Sequence, residues 1–157
     1  MLEKTRVGVL RHEGQFQLRA TEAITAGERL FRIEGERTNT PTRYSVQLDE
    51  TTHIDLGERP LEEFLDRYFW RFMNHHCEPS TFLRGDEVYA ARNLAPWDEL
   101  TFNYNTTEYD MAEPFDCRCG SPHCQRVVRG FRWLPAAEQE ALRPWLAPYL
   151  LRLLDSA

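Results

Sequence analysis

The sequence predicts a mostly β chain with short helices. Three observations carry that expectation. Short apolar-rich runs divided by turn residues fill the first third, a single proline-led stripe recurs at helical spacing, and the four cysteines concentrate where a loop needs stapling. With 157 residues and 41% hydrophobic composition, the chain suits one domain with a small appendage and can bury a core. No apolar run reaches about 20 residues and no signal-peptide-like stretch is present, so a soluble intracellular protein is expected.

Strands are expected at Arg6 to Leu10, Phe16 to Ala20 and Arg29 to Ile33, with a turn at Ala26-Gly27. Tyr44 to Leu48 alternates apolar and polar side chains as a half-buried strand does, and Thr52 to Leu56, closed by Gly57, is its partner. Pro60 stands where a helix takes its first residue. Leu61, Phe64, Leu65, Tyr68, Phe69 and Phe72 then recur at helical spacing, predicting a helix over 61–73 whose aromatic stripe serves core packing rather than a cofactor. Two more strands follow at Glu87 to Arg92 and Glu99 to Tyr104, on either side of a turn at Ala95-Pro96-Trp97-Asp98. Residues 105–133 read as loop organised by metal. From Ala136 the pattern is helical again, interrupted by Pro144 and Pro148. Its apolar face (Leu142, Trp145, Leu146, Tyr149, Leu150, Leu153, Leu154) docks on the chain's own domain or, alternatively, makes a homodimer.

Three cysteines stand in Cys117-Arg118-Cys119-Gly120-Ser121-Pro122-His123-Cys124, and the fourth lies upstream in Asn74-His75-His76-Cys77-Glu78-Pro79. Two disulfides would also use an even number, but the chain is neither very short nor evidently secreted. Reduced thiolates on a metal are therefore favoured. Cys77, Cys117, Cys119 and Cys124 can supply a closed tetrahedral Zn²⁺ site, with His123 ranked below Cys77 as a ligand. The net charge of −6 argues against non-specific nucleic-acid binding and leaves room for a cationic substrate. Arg118, Arg126, Arg129 and Arg132 form a locally basic stretch that reads as a solvated loop or a rim before a duplex-binding surface. Lys4 is the only lysine.

Arg71-Phe72-Met73-Asn74-His75-His76-Cys77-Glu78-Pro79 resembles the R-F-x-N-H-S-C-x-P-N segment of SET-domain protein-lysine N-methyltransferases, and the cysteine hook resembles their post-SET zinc segment. Glu99-Leu100-Thr101-Phe102-Asn103-Tyr104 resembles their E-L-x-F-D-Y segment, and Tyr44 to Asp49 a looser Y-x-x-x-L-D strand. The resemblance implies a fold of small β-sheets with a zinc-organised loop and a C-terminal helix. It divides the chain into a SET domain (1–113), a post-SET segment (114–133) and a helical extension (134–157). Arg-rich, Lys-poor usage fits a GC-rich genome and a small bacterial-type member.

By the same resemblance Asn74 and His75 hold S-adenosylmethionine largely through main-chain groups, with Phe16, Gln17, Arg71, Phe72 and Phe131 beside it and Trp133 as substitute for Phe131. Cys77 joins the zinc. Tyr104 lines the methyl-transfer site, Phe102 lines the lysine channel, and Tyr44 is a second channel tyrosine. Several positions depart from the family pattern. Gln15-Phe16-Gln17 stands where Gly-x-Gly is expected, with Gly14 one residue away; Ser80 replaces Asn, Asn103 replaces Asp, and Ile33 replaces a tyrosine while Gly35 survives.

The implied activity is methyl transfer to the side-chain amine of a lysine in a protein substrate, histone-like proteins included. Direct nucleic-acid or membrane partners are not expected. The alternative is a zinc-stapled module, impaired in turnover, that binds a protein tail. A lysine of pKa near 10.4 must lose a proton, which at pH 7 costs about 4.6 kcal/mol. An aromatic channel of Tyr44, Phe102 and Tyr104 would lower that cost by desolvation. The sequence nominates no carboxylate base, so the proton is expected to leave to water.

Overall fold

The computed structural model describes residues 6–156, so Lys4 and Ala157 lie outside the described residues. Strands β1 (Val7–His12) and β2 (Gln15–Ala20) form an antiparallel hairpin in which His12 faces Gln15. Its two-residue turn, Glu13-Gly14, has φ of 51° and 80°. Positive φ at both positions matches the right-handed twist of the strands, and glycine adopts it without strain. Gly14 is therefore a hairpin-tip residue, and Gln15-Phe16-Gln17 is regular strand.

Strand β3 (Arg29–Arg32) leads to β4 (Glu36–Thr38), β5 (Val46–Gln47) and β6 (His53–Asp55), the last three forming an antiparallel sheet ordered β4-β6-β5. The strand expected from Tyr44 shrinks to Val46–Gln47. Thr42 and Ser45 bond each other across residues 42–45, with Thr42 N–H donating to Ser45 Oγ (2.8 Å) and Ser45 Oγ donating to the Thr42 carbonyl (3.0 Å). Such local side-chain bonds compete with a ladder, and they place Tyr44 in a turn. Gly35 is required for a packing reason: a Cβ there would lie 2.7 Å from the Asp55 carbonyl oxygen of β6.

The expected helix over 61–73 breaks in two. Helix α1 (Leu61–Asp66) ends at Arg67, Tyr68 takes φ −112° and ψ 39°, and a 3-10 turn follows at Phe69–Phe72. Tertiary demand overrides periodicity here. Tyr68, Trp70 and Met73 are all buried, Phe69 and Phe72 are half-buried, and Trp70 Nε1 donates to the Glu34 carbonyl at 2.9 Å. One face of a continuous helix cannot bury that set.

Strand β7 (Asn74–His75) follows, then the hairpin β8 (Thr81–Arg84) and β9 (Glu87–Ala90), whose β9 also pairs with β3 to give the order β3-β9-β8. β8 was not expected from the sequence. The segment Glu99 to Tyr104 contributes only β10 (Thr101–Phe102), which runs parallel to β7 and leads into a 3-10 turn at Tyr104–Thr106. Within 105–133 a short ladder joins β11 (Phe115–Asp116) to β12 (Val127–Val128), and a 3-10 turn covers Phe131–Trp133.

The C-terminal stretch divides at its prolines into α2 (Ala136–Ala141), a 3-10 turn (Arg143–Trp145) and α3 (Pro148–Ser156). Tyr149 and Leu150 are fully buried with Phe131, Leu146 and Ala147, forming a second core beside the main one. The Tyr149 hydroxyl donates to the Thr107 carbonyl, and Ala147 N–H donates to the Thr106 carbonyl at 2.9 Å. The apolar face thus seats on the chain's own fold. Among the described residues, no helix is long and apolar enough to cross a membrane.

Candidate active site

Two short parallel strands organise the site. β7 carries Asn74 and His75, and β10 presents Phe102 just ahead of Tyr104. β7 pairs with β10 on one edge only, which leaves its other edge for a ligand. Asn74 Nδ2 donates to Glu99 Oε2 at 2.9 Å and reaches the Phe16 carbonyl at 3.5 Å, so the β1–β2 hairpin is held against β7. The Phe16 and Phe72 rings meet with centroids 5.0 Å apart, adding an apolar wall. The Gln17 side-chain oxygen accepts from Arg19 Nε at 3.1 Å. Phe16, Phe72, Asn74 and His75 are therefore one half-buried cluster. Its free strand edge and apolar wall fit a cofactor bound through main-chain groups.

His75 links this strand to both neighbours. Its Nδ1 accepts from Tyr104 N–H at 3.0 Å, which leaves the ring proton on Nε2, 3.3 Å from Cys77 Sγ. Burial pushes the imidazole pKa down to about 4, with His76 acting in the same direction, so the ring is neutral at pH 7. Phe115 stands edge-on to His75 and Tyr104, at centroid distances of 5.6 Å and 5.8 Å. Sequence reasoning missed Phe115. Its signal was faint: an aromatic two residues ahead of the first hook cysteine.

The Sγ atoms of Cys77, Cys117, Cys119 and Cys124 all lie within 4.8 Å of one another, and all four thiols are free. Cys77 and Cys117 are 3.8 Å apart, the edge expected of a tetrahedron with metal–sulfur bonds of about 2.3 Å. Backbone N–H groups of Gln125 and Arg126 point at Cys77 Sγ (3.3 Å) and Cys124 Sγ (3.4 Å), as thiolate-stabilising donors do. Burial pushes the Cys117 thiol up to about 11 and Cys77 higher still, so these sulfurs need a cation to ionise. The four cysteines could hold a metal ion.

Tyr44, from the turn at residues 42–45, and Phe102 and Tyr104, from the segment around β10, line one cavity together with Met73, Arg71 and Glu108. The Phe102 and Tyr104 rings lie 4.6 Å apart. Burial, and next the charge of Glu108, raise the Tyr104 phenol far above its ordinary range, so it stays a neutral donor. Tyr44 stands at the mouth, 46% exposed. The Arg71 guanidinium lies 4.1 Å from the centroids of both Tyr44 and Phe64, so Arg71 shapes this cavity.

Phe131 opens the 3-10 turn that follows the hook. It is only 3% exposed and belongs to the second core, behind the Glu108 carbonyl that its N–H contacts at 2.8 Å. Trp133 lies on the surface, its Nε1 donating to Asp110 Oδ1 at 2.9 Å, with the Arg129 guanidinium 4.3 Å over its ring.

Two of the odd substitutions are absorbed locally. Asn103 Oδ1 accepts from Asn105 N–H at 3.0 Å and so caps the 3-10 turn as an aspartate would. Ser80 Oγ donates to the Glu99 carbonyl (2.7 Å) and accepts from Thr101 N–H (2.9 Å), stitching β8 to β10.

Comparison with known proteins agrees with this architecture. The SET domain profile matches residues 15–105. The methyltransferase flvH of Aspergillus flavus is 40% identical over 91 residues, spanning 53% of this chain and 48% of that protein. A histone-lysine N-methyltransferase, H3 lysine-36 specific, of Coccidioides immitis is 31% identical over 145 residues, covering 82% of this chain and 14% of its own length. The chain thus spans about half or less of these curated relatives. Among solved structures, KRYPTONITE in complex with mCHG DNA and SAH superposes with a TM-score of 0.63 at 25% identity, over 82% of this chain and 30% of that one. The protein belongs to the SET-domain family.

Proposed function

We propose that this protein transfers a methyl group from S-adenosylmethionine to the side-chain amine of a lysine in a protein substrate, with one structural Zn²⁺ on Cys77, Cys117, Cys119 and Cys124. The observation that carries the reading is the convergence of Tyr44, Phe102 and Tyr104 on one cavity beside β7, in a chain of this family. Bound at β7, S-adenosylmethionine supplies an activated methyl on a sulfonium. The chain's own residues do the rest. The main chain of Asn74 and His75 and the wall formed by Phe16 and Phe72 seat the cofactor. Tyr44, Phe102 and Tyr104 strip water from the lysine and orient its amine. Holding nucleophile and methyl in line supplies much of the acceleration. The histone-methylating relatives and the solved complex with SAH support this assignment.

On this reading residues 1–113 are the SET unit, 114–133 the zinc-bearing segment and 134–157 a helical extension. The occupation of the α3 face by the chain's own second core favours a monomer. The negative net charge favours a cationic protein segment over nucleic acid as partner.

Incubation with methyl-labelled S-adenosylmethionine and a panel of core histones and lysine-rich peptides should label lysine, and calorimetry should show cofactor binding. A protein that neither binds the cofactor nor transfers label is not a methyltransferase. The rival reading, a stapled module that binds a tail without turnover, draws on the engaged Gln17 side chain and the absent glycines. Cofactor binding with no transfer would select it.

A further inference from the structure

Glu108 is the only carboxyl among the residues that line the cavity of Tyr44, Phe102 and Tyr104. It comes from the polar run Asn105-Thr106-Thr107-Glu108, which the fold buries. One carboxyl oxygen is anchored: Oε2 accepts from Gln47 N–H at 2.9 Å and from the Thr107 hydroxyl at 2.7 Å. The other, Oε1, has no hydrogen-bond partner among the described residues, and no guanidinium forms an ion pair with Glu108. Both anchors hold the side chain still while leaving one oxygen for what enters the cavity. A buried carboxyl arranged in this way is positioned by neutral donors and is not neutralised by a cation of the fold. It is poised for an ammonium.

We propose that Glu108 is the proton acceptor for the substrate ammonium, taking its proton directly or through one water before methyl transfer. The inference rests on the lysine-methylating reading of the same cavity. One N–H bond of the ammonium breaks, its electron pair stays on nitrogen, and an O–H bond forms at Oε1. The product is a neutral amine beside a neutral carboxyl, and the proton later leaves to solvent. Burial raises the Glu108 carboxyl to about 7, against the opposing bonds from Gln47 and Thr107, which suits an acceptor that must load and unload near neutrality. The groups that face it are consistent with this. Tyr104 on the cavity wall and Tyr149 behind it from α3 are both raised by burial and neutral at pH 7. Tyr44 stands at the mouth, and Arg43 and Arg71 on the same wall favour a neutral amine over an ammonium once the proton has gone.

The test compares the wild-type protein with Glu108→Gln and Thr107→Val, using core histones and lysine-rich peptides as acceptors and single-turnover kinetics from pH 6 to 9. Gln keeps an oxygen for the two anchoring donors. The wild-type rate should rise with pH and level off above about 7. Glu108→Gln should lose that inflection, with the rate about 10- to 100-fold lower at pH 7.5 and cofactor affinity unchanged. Thr107→Val removes a donor that favours the charged carboxylate, so its inflection should move to higher pH. It decides the matter if Glu108→Gln melts early. An active wild type with an unaltered rate and profile in Glu108→Gln, or an unmoved inflection in Thr107→Val, overturns the role of Glu108 alone. A wild type that methylates no lysine overturns the proposed function and this inference together.

Discussion

The Tyr104 hydroxyl donates to the carbonyl oxygen of Met73 at 2.7 Å. This bond ties the turn after β10 to the residue that enters β7, adding a side-chain link to the β7–β10 pairing and the Tyr104 N–H bond to His75. With its proton committed to Met73, the phenol offers its oxygen lone pairs to the cavity, where an amine N–H can bond to them. The same ring touches Phe102, His75 and Phe115.

Tyr104→Phe keeps those ring contacts and loses only the hydroxyl. Stability should fall by about 1 kcal/mol for the lost buried hydrogen bond. Methyl transfer should slow roughly tenfold to a hundredfold, with cofactor affinity nearly intact. Calorimetry and single-turnover rates separate the two effects. A variant with weak cofactor binding and a normal transfer step would assign the hydroxyl to the wrong half of the site.

Cys77→Ser should produce the opposite pattern. Cys77 is two residues from His75, whose Nε2 faces its sulfur, and Gln125 N–H reaches the same atom from the hook. Losing the thiolate should remove the bound metal and free the hook, and with it Phe115, from His75. Zinc content should drop from one equivalent, and cofactor affinity should weaken by about tenfold or more before the chemical step is affected. Metal analysis paired with calorimetry checks this. Full zinc content, or unchanged cofactor affinity, would uncouple the two sites.

Gly130 has φ of 113°, and a Cβ there would stand 2.7 Å from the Tyr109 carbonyl oxygen and 2.8 Å from the Asp110 Cα. Both contacts are backbone and cannot step aside. Gly130→Ala should therefore cost about 3 kcal/mol, and it should loosen the second core, which begins at Phe131. Gly27→Ala is the comparison: φ is 87° but nothing lies within 4 Å, so strain alone should cost about 1 kcal/mol. Equal losses in urea melts of the two variants would mean that the crossing over residues 109–111 yields easily.

The parts of this molecule that the sequence reveals are those where chemistry dictates residue type. The four cysteines, whose spacing favours a shared metal over two disulfides, do meet at one point, and Tyr44, Phe102 and Tyr104 converge although both of their segments are shorter as strands than expected. What periodicity could not show is where packing overrides it. β8 has three consecutive buried residues, Thr81, Phe82 and Leu83, because Trp145 from the C-terminal stretch covers Phe82, and a strand buried on both faces carries no alternation. The break at Tyr68 answers a core that surrounds the 3-10 turn rather than lying along one side. Glu108 was invisible for the converse reason. It sits in a run of Asn and Thr that reads as solvated loop, and only Gln47, Thr107 and the second core make it a buried group.

The raised carboxyl of Glu108 also predicts how stability changes with pH. Its pKa moves from the ordinary carboxylate value to about 7 in the fold, so the folded state holds this proton more tightly than the unfolded chain does. The contribution is fully favourable below the unfolded pKa of about 4.3 and is lost as pH rises through that value toward 7. At pH 8 the wild-type fold must carry an ionised, buried carboxylate without an ion pair. Glu108→Gln removes that burden and leaves the anchoring bonds in place. Relative to wild type it should gain on the order of 3 kcal/mol between pH 4 and pH 8, from a shift of roughly 2.5 pKa units. Urea melts of both proteins at the two pH values measure this difference, and taking it between pH values cancels whatever Gln itself changes in packing. A difference near zero would mean that Glu108 ionises in the folded state as easily as in water, and that the cavity is wetter than its burial implies.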